Sequence, residues 1–321
     1  MDQKNLRGSL LLLLGAVIWG FAFVAQRVGM DSMEPISFNG FRTLLAGICL
    51  IPAVWVADKR NPRRVPGPEK RKSQRIAGML CGVLLFVCTT LQQAGLVETE
   101  AGKAGFITAL YVVLVPLAAW VFLKRNAGKW IWVSVALAVV GLFLLCVPAG
   151  ESFSLSRGDL LILGCAISFT GEILVVDHYA PRVDPIRLSR DQFLVCGTLG
   201  TVLGALTETI TWAGVRASLP ALIYAGVFSG AIGYTIQNIA QRDTNPTVAS
   251  LIMCLESVFG VIFGALVLGE RMIPRETAGC VIMFTAVVLA QMSQQFHSGE
   301  RSEGGAVTED HATAVREPRT K

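Results

Sequence analysis

Charge is scarce in this chain of 321 residues. Only 16% are Asp, Glu, Lys or Arg, against about 25% in a soluble domain. The charge present is also gathered: ten charged side chains fall in residues 58–75 and nine in 297–321. The rest is nearly hydrocarbon, with a mean hydropathy of +0.56. A soluble enzyme, a nucleic-acid-binding domain and a disordered scaffold are excluded. The net charge of +5 comes from the basic stretch 58–75 and does not point to nucleic acid.

Histidine is scarcer still. The three, His178, His297 and His311, cannot supply a metal or nucleophile–base constellation, which argues against a membrane-embedded lipid-modifying enzyme. The eight cysteines all lie in apolar runs, with no C-x-x-C spacing and no neighbouring His. They read as small hydrophobes rather than disulfides or metal ligands. No catalytic residue, metal or cofactor is expected. No A-x-A site follows the first apolar stretch, so it reads as a membrane span and not a secretion signal. The absence of a Walker A sequence leaves a proton or solute gradient as the expected energy source for any transport.

What is abundant is apolar runs about 20 residues long, the length that crosses about 30 Å of hydrocarbon. They lie at 9–28, 37–57, 76–96, 104–123, 130–148, 160–178, 192–212, 219–239, 247–268 and 276–295. None alternates with period two, which excludes a β-barrel. The expectation is an all-α integral membrane protein of ten transmembrane helices. Lys and Arg fix its orientation. With the N-terminus inside, 21 of the 28 basic residues fall on the inner side and five outside, so both termini are expected in the cytoplasm. The loop 58–75 should lie on anionic headgroups. The polar tail 296–321 should be disordered.

The two halves echo each other. Glu34-Pro35-Ile36 recurs as Asp184-Pro185-Ile186, an offset of 150 that also takes Trp19 to Phe169 and Arg42 to Gln192. Farther along the offset is 145, taking Gln92-Gln93 to Gln237-Asn238 and Tyr111 to Glu256. An odd number of spans per half turns the second half upside down. Inverted repeats of this kind place a substrate site at their interface and alternate its access. The expected units are a cytoplasmic segment 1–8 and repeats 9–148 and 160–295, followed by the tail.

Gly15-x3-Trp19-Gly20, Pro35 with Arg42, Ala104 to Pro116, Ala249 to Glu256 and Leu268-Gly269-Glu270-Arg271 carry a resemblance to the drug/metabolite transporter superfamily. Within it the chain is similar to the ten-helix group with two EamA-type repeats. The resemblance implies a multi-pass protein of the plasma membrane, the inner membrane in bacteria. It also implies efflux of small metabolites such as amino acids or drug-like compounds. Helices resembling spans 1, 3, 4, 6, 8 and 9 would surround a central cavity. A receptor or structural membrane protein is the alternative from another class.

A charge at the bilayer centre costs about 2.5–3.5 kcal/mol on insertion scales, so buried polar residues are the candidate pathway. Glu172 and Glu256 lie near mid-membrane and are candidates for a cationic substrate group or a coupling proton. Glu208 is expected in the outer half of the seventh span. Arg42 can contact an anion, but its stem can equally carry the charge to the interface. The second reading is preferred because its span is expected at the periphery. Trp19 and Tyr111 are candidate walls. Gln92, Gln93, Gln237 and Asn238, with Tyr234 one turn away, are candidate polar lining. Four Gly-xxx-Gly pairs suit close helix contacts, and Pro116 should kink the fourth span.

Overall fold

The computed structural model describes residues 3–61, 68–96, 98–99, 101–124, 128–147, 156–268 and 273–292. Gly269, Glu270 and Arg271 of the family-like run, Pro62 and Pro66 of the basic loop, Arg125 and the tail 296–321 lie outside them.

The described residues form helices joined by short turns, with no strand among them. The first half comprises α1 (Gln3–Met30), α2 (Pro35–Arg60), α3 (Pro68–Leu96), α4 (Ala101–Ala109), α5 (Tyr111–Leu123) and α6 (Lys129–Cys146). The second comprises α7 (Arg157–Tyr179), α8 (Pro185–Thr207) and the short α9 (Trp212–Ala217) and α10 (Leu219–Ile223). A π-helical stretch (Tyr224–Tyr234), α11 (Thr235–Ala240), α12 (Pro246–Met253) and α13 (Glu256–Leu268) follow. Last comes α14 (Pro274–Met292). Among the described residues nine helices are long and apolar enough to cross a bilayer. Large apolar side chains such as Phe122, Leu206 and Trp212 are 78–80% exposed, which only lipid makes tolerable.

Helix starts follow familiar chemistry. Pro35, Pro185 and Pro246 open their helices, where a missing N–H costs nothing. Asp184 accepts from the Ile186 and Arg187 amides, Asn245 from the Thr247 amide, and Ser156 forms a capping box with Asp159. For α2 the cap comes from across the bundle. The Glu208 carboxylate accepts from Ile36 N at 2.8 Å, Ser37 N at 2.6 Å and Ser37 Oγ at 2.6 Å. Glu34 reciprocates by accepting from Thr209 N at 3.0 Å.

Four expectations are corrected. The seventh span was placed at 192–212, but α8 runs from Pro185 to Thr207. Its first turns carry Arg187 and Arg190, which hydropathy discounts. Arg187 meets Asp58 and Arg190 meets Asp191, each at 2.5 Å. Glu208 therefore lies just beyond α8, where it caps the first turn of α2. Much of the stretch 58–75 is helix, since α2 extends to Arg60 and α3 starts at Pro68; Lys and Arg are good helix formers. Finally, α2 is central and not peripheral, packed on α8, α3 and the π-helical stretch.

The central pair, α2 and α8, runs antiparallel. Ser37 faces Gly204, Gly40 faces Gly200 and Thr201, Leu44 faces Gly197, and Gly47 faces Leu194. A Cβ at Gly40 or Gly197 would overlap the partner's backbone, so glycine is what permits the approach. Other packing comes in matched pairs: α3 on α7 with α1 on the π-helical stretch, α3 on α8 with that stretch on α2, and α5 on α7 with α13 on α1. The fourth and ninth spans are each broken, at Leu110 and at Cys254–Leu255. Pro116, expected to kink the fourth, sits six residues past its break.

Candidate functional site

A cavity of about 70 Å³ lies where these elements converge. Its wall includes Trp19, Ala22 and Gln26, which share one face of α1, and Arg42 on α2. Cys88, Thr89 and Gln92 come from α3, Thr108 from α4 and Phe169 from α7. Ser229 and Tyr234 come from the π-helical stretch, and Glu256 is the first residue of α13. Gln26 and Gln92 sit about one turn from the helix ends at Met30 and Leu96. The cavity thus reaches from mid-bundle towards the face holding those ends.

Arg42 is 8% exposed. Its Nε donates to Asn39 Oδ1 at 3.0 Å, Asn39 Nδ2 donates to Thr89 Oγ1 at 2.8 Å, and Thr89 Oγ1 donates to the Leu85 carbonyl at 2.8 Å. This chain fixes the guanidinium plane across two helices. Among the described residues the two terminal nitrogens of Arg42 have no hydrogen-bond partner, yet they are not sealed away from the cavity. The same holds for the Glu256 carboxyl, and no ion pair joins it to Arg42. One fixed cation and one carboxyl thus share the cavity without pairing with each other. Holding a guanidinium in a low-dielectric space is costly without a partner, so the arrangement suits a ligand that brings a carboxylate for Arg42 and an amine for the Glu256 carboxyl.

The aromatic wall is equally ordered. Trp19 Nε1 donates to the Ser229 carbonyl at 3.1 Å, a contact to a π-helical stretch of the kind common at functional sites. Trp19 meets the edge of Tyr234 at 5.1 Å between centroids, and Tyr234 meets Phe193 at 5.1 Å. Gln92 Nε2 donates to Thr108 Oγ1 at 3.2 Å.

Five candidates from sequence meet in this cavity: Trp19, Arg42, Gln92, Tyr234 and Glu256. Arg42 points into the protein and not to the interface, because α2 is central. Five others do not line it. Gln93, Tyr111, Glu172, Gln237 and Asn238 are buried, at 0–1% exposure. Tyr111 packs edge-on against Phe169 at 5.2 Å. Gln237 Nε2 donates weakly to Glu172 Oε2 at 3.5 Å and to Gln241 Oε1 at 3.1 Å, while Asn238 Nδ2 donates to Ser189 Oγ at 2.8 Å. The sequence reading missed Gln26, Thr89, Thr108 and Ser229 as lining. Seven-residue spacing from Trp19 was the available signal for Gln26.

A helical membrane bundle whose halves close around a small polar cavity has the form of a transporter. The chain matches the EamA-like transporter family over residues 6–147 and again over 156–292. It belongs to that family, and is a multi-pass protein of the plasma membrane. An uncharacterized transporter of Archaeoglobus fulgidus is 31% identical over 289 residues, covering 90% of this chain and 87% of the relative. A protein of Chlamydia muridarum named as an S-adenosylmethionine/S-adenosylhomocysteine transporter is 25% identical, covering 82% and 85%. A solved crystal structure superposes with a TM-score of 0.76 at 14% identity, covering 90% of this chain and 98% of its own. That likeness concerns the fold alone.

Proposed function

We propose that the protein is a secondary transporter that exports small zwitterionic metabolites of the amino-acid type by alternating access. Its two five-helix repeats, 9–148 and 160–295, lie inverted to one another, with α8 as the seventh span completing the ten and both termini in the cytoplasm. The observation carrying the reading is the pair of unpaired groups, the Arg42 guanidinium and the Glu256 carboxyl, in one aromatic-walled cavity. Arg42 takes the solute carboxylate, for which a planar guanidinium fixed through its Nε is well matched. Glu256 takes the ammonium. Trp19, Phe169 and Tyr234 cover the apolar part. When the solute leaves, Glu256 is free to take a proton, which makes it the coupling site; Glu172, on α7 of the same repeat, is the second such candidate. Outward direction rests on the family resemblance. The name of the Chlamydia relative supports the solute class, since S-adenosylmethionine ends in an α-amino acid.

The test is solute counterflow in proteoliposomes with labelled amino acids, competed by the matching amine and the matching carboxylic acid. The amino acid should compete far better than either fragment. Equal competition by a neutral solute of similar size would remove the reading.

A further inference from the structure

The helix boundaries repeat at fixed offsets. In the broken spans, α4 and α12 begin at 101 and 246, α5 and α13 at 111 and 256, and they end at 123 and 268. The offset is 145 each time. α2 and α8 begin at 35 and 185, an offset of 150. Applying these offsets to the cavity wall gives its repeat-related image. Ala22 maps to Glu172, Arg42 to Gln192, Gln92 to Gln237 and Glu256 to Tyr111.

All four image residues are buried at 0% exposure. Each also carries a buried polar atom without a protein partner: Glu172 Oε1, both amide atoms of Gln192, Gln237 Oε1 and the Tyr111 hydroxyl. Buried polar groups in a finished core find partners. Orphans gathered at the mirror positions of an open cavity are groups whose partners belong to another state. Resting on the alternating-access reading above, we infer that Tyr111, Glu172, Gln192 and Gln237 line a second vestibule. It is closed in this structure, is the repeat-related image of the open cavity, and receives the ammonium end of the solute.

The two vestibules differ in where they place charge-bearing groups. Glu172 stands where the open cavity has Ala22, and the neutral Gln192 stands where it has Arg42. The closed vestibule therefore offers a carboxyl for a cationic group and no cation for a carboxylate. Bound there, the solute keeps an ionic partner for its ammonium and only amide hydrogen bonds for its carboxylate. Recognition is thus asymmetric: both charges count on the open face, and the ammonium dominates on the other.

The test uses the full chain with its native cysteines replaced, in a form verified to transport, carrying Q92C or Q192C. Sealed vesicles of both orientations are treated with a membrane-impermeant thiol reagent, with and without solute turnover. Q92C should label from one face, and Q192C only from the opposite face, severalfold faster during turnover. Labelling of Q192C from the Q92C face, or from neither face while Q92C labels and transport continues, would overturn the inference. A second measurement adds E172Q to the same cysteine-replaced chain carrying Q92C. Solute should still protect the open cavity from labelling at Q92C, while transport and competition by simple amines on the far face are lost. Native amine competition there would also overturn it. Loss of zwitterion selectivity with Q192C still labelling from the far face would refute the proposed solute and leave the vestibule standing.

Discussion

Replacing Arg42 by Gln removes the one cation among the described residues that lines the cavity, while keeping a polar side chain that fits the same space. The guanidinium is held by Asn39 and Thr89 and has two terminal nitrogens free for a carboxylate. A charge-assisted hydrogen bond is worth about 1.5–3 kcal/mol, and 1.4 kcal/mol is tenfold in affinity. The apparent affinity for an amino acid should therefore fall by roughly 10- to 150-fold. The decarboxylated amine has nothing to lose at this position and should change little. R42K keeps the charge but loses the fork and the Nε bond to Asn39, so it should fall between wild type and R42Q. The assay is competition in counterflow, with thermal stability in detergent measured alongside. An equal loss for amine and amino acid would refute the reasoning, since Arg42 would then act on the fold and not on the carboxylate.

Other outcomes follow from the same geometry. E256Q should insert and fold but lose most transport. Wild-type transport should quicken as the face of the open cavity is acidified, because Glu256 takes up its proton there, and E256Q should be flat over the same pH series. E208A should release three hydrogen bonds at the start of α2. A lost helix cap costs about 0.5–2 kcal/mol, so the variant should melt earlier in detergent with solute selectivity unchanged. Cys88 Sγ and Cys165 Sγ lie 3.4 Å apart, so a mild oxidant should crosslink α3 to α7, detected as a disulfide-linked peptide pair. Absence of that pair from fully oxidised protein would contradict the packing of α3 on α7.

The spans were legible because hydrocarbon length and breaks are written in composition. Their polar ends were not. Arg187 looks like a loop residue until Asp58 is seen beside it, and that pairing joins residues 129 positions apart. The breaks at Leu110 and Cys254–Leu255 carry neither Gly nor Pro, so no local signal marks them. Trp19, Gln92, Tyr234 and Glu256 stood out as polar or aromatic groups in apolar surroundings. Thr89 and Thr108 did not, because a lone hydroxyl in a membrane helix can satisfy itself on its own backbone, as Thr89 does on Leu85. The burial of Arg42 is not legible in sequence, because it depends on which helix occupies the centre. The glycines that put α2 there, Gly40 and Gly47 against Gly200 and Leu194, read in sequence only as small residues.

The most direct test of two inverted halves is the sidedness of one pair of repeat mates. Glu98 and Asp243 are exposed, stand 145 residues apart and precede the two broken spans. Single cysteines at these positions, in sealed membranes, should react with an impermeant reagent from opposite faces. Reaction of both from the same face would contradict the antiparallel arrangement and the transport cycle built on it.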